Sequence, residues 1–532
     1  MEQKIDFLKI GKANELSGRD YKFYRLLEIL PGSLSLLTIF GLIICSYFKP
    51  VWVAYFIIAF DVYWLLLVLY MALFLITSYR RLKAGLHTDW KQKCLNLFDR
   101  KYYNEEIAPD SLSSQGMLYT DLWQLIILPT YNEEIEIIKT ALDSIINDGF
   151  PTDQMIIAVA MEERGGEDAR KREVLIREEY KNKFKHFVIT WHPDGIEGEI
   201  KGKGANQAWC VRELKKNLIE PLNLDKNKIL ISVFDIDTVV YPGYFFALAY
   251  KFLTVSEPYR ASYQPVPVYH NNIWNAPFFS RVAATSNTFW QMIMQVRHES
   301  LVTYSSHSMT YKALEEIGFW STKMVSEDSR IFWDCLMFYN GHYRVEPLQF
   351  EVSMDVTCDK SFWRTISSLY KQQRRWAWGG ENIPYLLFNA TKKWKTPGFD
   401  KKRIIGHIII QIYGFHAWAT SALIIAVVGW MPMLLGGDRF NSTVLSGNLP
   451  AVTQMLMNFA MVGLIQSAVL SALLLPKRPK NYSVWKNIKM ILEWVFIPVT
   501  IIFFGSLPCL EAQIRLMFGK YMGFWVTPKT RS

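Results

Sequence analysis

The chain has 532 residues, half of them hydrophobic and 15% aromatic, with a formal net charge of +10. That length and apolar share exclude one ordinary soluble domain. Much of the Lys and Arg flanks hydrophobic runs, where positive-inside bias places it anyway, so no nucleic-acid partner is expected and a lipid bilayer is.

A membrane-spanning helix needs about 20 apolar residues. Residues 34–48 are short of that unless the helix begins near Leu26, with Pro31 and Gly32 in its first turns. Residues 51–78 are long enough and carry Asp61 as their only charge. The intervening Lys49-Pro50 leaves room for a tight hairpin only. Lys4, Lys9, Lys12, Arg19, Lys22 and Arg25 precede the hairpin, and Arg80, Arg81 and Lys83 follow it. Both flanks are therefore expected on the cytoplasmic side. The first apolar run reads as an anchor, not a cleaved signal.

Charged residues concentrate in the following segment, which alternates strand-like and helix-like pieces. Residues 125–128 form a continuous apolar run, as in a strand buried on both faces. Ile135, Ile138, Leu142 and Ile145 then recur at helical spacing. Further strands are expected at 155–160, 186–190, 229–234 and 262–268. The repeated β-α-β order predicts a mostly parallel sheet covered on both faces, with ligands at the carboxyl ends of its strands. Gln264-Pro265-Val266-Pro267 reads as an edge strand and Gly165-Gly166 as a mobile loop. Cys45, Cys94, Cys210, Cys335, Cys358 and Cys509 have no regular spacing, which suits a reducing compartment.

Residues 382–395, with Tyr385, Leu386, Leu387 and Phe388 ahead of Lys392, Lys393 and Lys395, suit a helix in the membrane interface. Spans are expected at 404–431 and 452–475, and a last apolar segment starts near Met490 and meets Pro498 and Pro508. Three spans would leave the end of the chain outside, whereas Arg515, Lys520, Lys529 and Arg531 ask for it inside. A last segment that folds back resolves the conflict; an interfacial helix is the alternative.

Three groups of residues carry chemistry. Asp235-Ile236-Asp237 follows an apolar strand, where two carboxylates one residue apart can share a hard divalent cation with a diphosphate. A solvated turn is the plain alternative. Ser326-Glu327-Asp328 opens a helix, so Asp328 could be a general base or a charge at the helix N-terminus. Gln372-Gln373-Arg374-Arg375-Trp376 offers an Arg fork for phosphate and a Trp face for a sugar ring, or an interfacial anchor. His307 reads as a structural, hydrogen-bonded histidine.

The order of these groups, together with Pro129-Thr130-Tyr131-Asn132-Glu133-Glu134 ahead of them, resembles the membrane-embedded processive family-2 glycosyltransferases, the cellulose, chitin and hyaluronan synthases. The resemblance covers nearly the whole chain. It implies an α/β domain of GT-A type between transmembrane regions, divided as 1–79 (cytosolic segment and hairpin), 80–375 (catalytic), 376–400 (interfacial) and 401–532 (transmembrane region and tail). It implies that Thr130 and Tyr131 flank the uracil of a UDP-sugar and that Glu162, in Met161-Glu162-Glu163, contacts base or ribose. Lys203 then lies near the diphosphate, Asp235 contacts the nucleotide and Asp237 binds Mg²⁺ or Mn²⁺, with Asp235 as a further metal ligand. Asp328 is the base, Arg375 holds the diphosphate, and Gln372 and Trp376 bind the acceptor. The implied activity is inverting hexosyl transfer from a nucleotide-sugar to a growing β-linked polysaccharide. Secretion would run through the enzyme's own helices, with room for accessory secretion proteins. The implied location is the plasma or inner membrane, with the catalytic domain cytoplasmic. Two rivals stand beside this reading: a non-processive transferase acting on a lipid carrier, and a transporter or scaffold whose soluble domain has lost activity.

Overall fold

The computed structural model describes residues 6–103, 106–525 and 527. Helix α1 (Gly18–Phe48) starts well before the apolar run and contains Pro31. A turn at Lys49 leads into α2 (Pro50–His87), with Pro50 in the first turn, where its missing N–H leaves no helical bond unmade. The far end of α2 enters the catalytic domain, where Leu75 and Leu82 join its core.

The catalytic domain is built on one eight-stranded sheet. Its strands are β1 (Trp123–Pro129), β2 (Met155–Glu162), β3 (His186–His192), β4 (Ile229–Val233), β5 (Val239–Val240), β6 (Ala261–Val268), β7 (Ser308–Thr310) and β8 (Arg344–Ser353). They run in the order β3-β2-β1-β4-β7-β6-β8-β5. The first four are mutually parallel, β7 is antiparallel to both β4 and β6, and β6 is parallel to β8. The sheet is therefore mixed, and its parallel half is the half read from the β-α-β pattern. Helices α3 (Ile135–Asn147), α4 (Gly166–Tyr180) and α5 (Lys203–Leu214) make the crossovers of that half. Ile137, Ile138, Leu142 and Ile145 pack on one face of the sheet, and Ala208, Val211 and Leu214 on the other.

Two local expectations fail. The strand containing Gln264-Pro265-Val266-Pro267 is not an edge: β6 lies between β7 and β8 and is buried throughout. It tolerates proline because β7 reaches only Ser262 and Tyr263, and the β8 register shifts between Gln264 and Val266. Gly165-Gly166 is not a loop either. A 3-10 turn, Glu163–Gly165, runs directly into α4, and a side chain at Gly165 would meet the Tyr131 carbonyl.

Helices α6 (Tyr244–Thr254) and α7 (Phe278–Val296) follow, then α8 (Glu327–Phe338), α9 (Phe362–Ala377) and α10 (Asn382–Lys393). Helix α10, expected at the membrane interface, turns its apolar face to protein: Tyr385, Leu386 and Phe388 are fully buried, and Phe388 packs on Tyr24 of α1. Helices α11 (Lys401–Ala426) and α12 (Val444–Leu474) come next, and then a continuous helical run from α13 (Val484–Leu492) to α14 (Leu507–Met517). Among the described residues, five segments are long and apolar enough to cross a membrane: α1, α2, α11, α12 and Val484–Met517.

The last of these touches the catalytic domain along its length. Tyr482 stacks on Trp274, Glu493 pairs with Arg281 of α7, Phe496 and Phe504 meet Phe278 and Phe279, and Glu511 accepts from Tyr370 of α9 at 2.9 Å. It is one bent helical run, not the fold-back pair expected. A 3-10 turn at Glu493–Phe496 and a wide turn at Ile502–Ser506 bend one helical run along the domain.

Candidate active site

The site lies at the carboxyl ends of β1, β2 and β4. Beyond β4 the chain turns through Asp235 and Asp237 into β5. Asp237 is fully buried, and its Oδ2 accepts the backbone N–H of Asp355 at 2.8 Å. Asn271 donates to the Asp237 carbonyl and to Asp355 Oδ1, both at 2.8 Å, and so fixes the turn against the end of β8.

Lys203 stands in the first turn of α5, and its ammonium joins two carboxylates. It lies 2.7 Å from Asp235 Oδ1, and 2.9 and 3.0 Å from the two oxygens of Asp328. Burial alone would lower the Lys203 pKa, but Asp235 and Asp328 together outweigh it and the net shift is upward. The D-x-D turn and the helix start, far apart in sequence, thus meet on one cation. Asp328 lies in the first turn of α8 with its carboxylate turned to Lys203, and the Ser326 hydroxyl before it accepts no helix N–H but donates to Glu381 at 2.7 Å. Glu327 is buried beside it. Burial, then the Asp328 charge, raises the Glu327 carboxyl above the ordinary range, against Lys203 and Arg375.

Thr130 and Tyr131 begin the loop after β1. Glu133 Oε2 accepts from the Thr130 hydroxyl at 2.9 Å and from the Tyr131 N–H at 2.7 Å. Glu162 ends β2 and pairs with Arg164, whose guanidinium lies 4.0 Å over the Tyr131 ring. That arginine was not singled out from the sequence. Its only signal is its place two residues beyond Glu162. Glu162 and Arg164 line a cleft with His192, Asp194, Glu199 and Lys201. Asn206 of α5 donates to the Ala160 carbonyl at 2.7 Å and ties the Lys203 helix to the end of β2.

On α9, Thr365, Ser368, Leu369, Gln372 and Gln373 recur at helical spacing and form the buried face. Gln372 Oε1 accepts from Thr357 at 2.7 Å, so this side chain holds the segment after β8. Arg374 pairs with Glu511 of α14 at 2.5 Å. Arg375 is close enough to the centre for its charge to act on Glu327 and on Tyr269, and Trp376 packs against the apolar cluster that contains Tyr269 and Trp274. Phe524 lies 5.1 Å from the Arg375 guanidinium and against Gly202, where any side chain would collide with its ring. Nothing in the local pattern of residues 519–525 signals this contact. His307 is fully buried, and its Nδ1–H donates to the Tyr304 carbonyl at 2.8 Å, as expected of a structural histidine.

The donors at the D-x-D turn suit a divalent cation. Both side chains offer hard oxygens, and among the described residues no group of three or more His, Cys, Asp or Glu could cage a metal alone. A pair of carboxylates completed by phosphate oxygens is the usual Mg²⁺ arrangement, so the residues fit Mg²⁺ or Mn²⁺.

An α/β sheet with acidic residues converging at its strand ends, flanked by apolar helices, defines a membrane-associated GT-A-type glycosyltransferase. The chain belongs to glycosyl transferase family group 2, whose family model matches residues 230–505. The matched region takes in Asp235, Asp237, Asp328, Arg375, α11, α12 and much of Val484–Met517, while α1, α2 and β1 to β3 lie outside it. Among solved structures, the mannosyltransferase PcManGT from Pyrobaculum calidifontis, in complex with GDP-Man and Mn²⁺, is similar at 12% identity and TM-score 0.39, over 75% of this chain and 98% of that one. S. aureus TarS 1-349 is similar at 10% identity and TM-score 0.35, over 66% and 91%. No curated protein sequence matches the chain.

Proposed function

We propose that this glycosyltransferase transfers a hexose with inversion from a UDP-sugar to a growing β-linked polysaccharide and passes the product through its membrane helices. The observation that carries the reading is the Lys203 bridge between Asp235 and Asp328, with Arg375 and Trp376 beside it on a helix packed against α14. Thr130, Tyr131 and Glu162 would hold the nucleoside end, with Arg164 moving off the Tyr131 ring to admit it. Lys203 and Arg375 would then meet the diphosphate as two cations of different reach. Held by Asp235 and Asp237, Mg²⁺ or Mn²⁺ would neutralise charge on the leaving group. Once phosphate draws Lys203 away, Asp328 can take the proton of the acceptor hydroxyl as it attacks the anomeric carbon from the opposite face. Trp376 offers a ring face for the acceptor sugar, and Gln372 positions the backbone beneath it.

The contacts of residues 482–524 support a topology of four crossing helices, α1, α2, α11 and α12. The last apolar segment then lies along the cytoplasmic face, and both flanks and the catalytic domain are cytoplasmic, at a plasma or inner membrane. The test is a panel of nucleotide-sugars given to vesicles with the catalytic domain outward. UDP release that stops in EDTA, with large product protected from added glycosidase, is the expected result. One or two sugars extracted with a lipid would replace the synthase reading with transfer to a lipid carrier.

A further inference from the structure

Asp61 sits in α2, eleven residues beyond Pro50 and so about 16 Å along the helix, near the middle of an apolar slab about 30 Å thick. It is 1% exposed, and neither carboxylate oxygen has a hydrogen-bond partner. No Lys or Arg lines the small cleft it faces, which is formed by Ile57, Gly429, Trp430, Pro450 and Thr453 among others. A carboxylate in such a place is costly unless something compensates its charge, and intramembrane acids mark ion or proton sites.

The surroundings favour a cation. Helix α11 stops at Ala426 and gives way to a 3-10 turn, Val428–Trp430, so the negative end of its dipole and its last carbonyls lie at the cleft. Pro450, inside α12, lacks the N–H that would bond the Ser446 carbonyl one turn back. The Thr453 hydroxyl, one turn further along α12, faces Asp61. A helix end and a proline-interrupted turn that leave carbonyls without N–H partners beside a carboxylate and a hydroxyl resemble the way membrane proteins hold Na⁺ and similar ions.

We propose that Asp61, Thr453, the C-terminal end of α11 and the Pro450 turn of α12 form a binding site for one partly dehydrated monovalent cation. The site is separate from the sugar-transfer centre and does not depend on what that centre makes. The occupied site would clamp α2 between α11 and α12. The test uses the full-length protein in nanodiscs, with thermal unfolding followed in choline chloride as NaCl or KCl replaces it at constant ionic strength. A saturable rise in Tm with Na⁺ or K⁺ is expected for the wild type. Asp61→Asn should abolish the rise, and Thr453→Val should raise the half-saturating concentration several-fold. A wild-type Tm indifferent to Na⁺, K⁺ and Li⁺ overturns the site, even if Asp61→Asn does not fold. An Asp61→Asn response equal to that of the wild type overturns it as well.

Discussion

At the residue scale, the placement of one ammonium has consequences that can be measured. Lys203 stands where a cation bound by Asp235 would feel it, and two positive charges a few ångströms apart repel by several kcal/mol at protein dielectric. Lys203→Met should therefore let the nucleotide-free enzyme bind Mn²⁺ roughly tenfold or more tightly, read from the free-ion spin-resonance signal, while weakening UDP binding. Unchanged Mn²⁺ affinity would remove Lys203 from the metal's neighbourhood. Asp328→Asn should fold and bind UDP but lose roughly 10²–10⁴ in transfer rate, as expected for a missing general base. A variant that is merely less stable would return Asp328 to the role of a helix-end charge. His307 supplies part of the pH dependence, as does His270, which burial lowers to about 4. Burial lowers the His307 pKa below the ordinary 6.5, so the unfolded chain takes up a proton that the folded protein resists. Stability should hold above pH 6.5 and fall below it, by up to about 1.4 kcal/mol per pH unit for each histidine, until the folded-state value is reached. His307→Asn keeps a donor for the Tyr304 carbonyl and should make that limb of the profile shallower.

At the element scale, the legible parts were those with a local cause. Strand β1 announces itself by unbroken apolar residues, and α3 by its spacing, because each must fit one buried face. The D-x-D turn was legible because a strand delivers it to the ligand edge. Arg164 over Tyr131 was not, since the two meet only when β1 and β2 pair. Nor was the interior position of β6, whose prolines suggest an edge until the shortness of β7 is known. The last apolar segment was half legible: its charges asked for an inside end, but its run along the catalytic domain shows only in the partners of Glu493 and Glu511. Arg281 and Glu493 are both buried, and breaking such a pair from one side leaves an uncompensated charge worth about 3–5 kcal/mol. Glu493→Gln should lower the Tm sharply, whereas replacing both partners with apolar residues should recover much of the loss.

At the scale of the whole molecule, the proposed four-crossing topology would place Lys520 on the same side as Asp328. In sealed vesicles that expose the catalytic domain, a Lys520→Cys variant in a background without Cys45 should react with an impermeant maleimide. Labelling only after the membrane is opened would restore a fifth crossing. Leu75 and Leu82 of α2, together with Trp494, belong to the core that also contains β4 and α8.

The belt of residues 482–524 also bears on how the protein can be handled and how it can evolve. Trp494 and Phe504 cover Phe289 and Phe279 of α7, and Cys509, Ala512 and Leu516 pack with Ala377 and Trp378 at the end of α9. A fragment of residues 88–400 would leave this underside bare, so excising it should give an aggregating product and not a soluble transferase. For the same reason the catalytic half is not a portable module. A lineage could exchange the outer loops of this enzyme freely, but a new membrane partner for the sheet would have to arrive with its own floor.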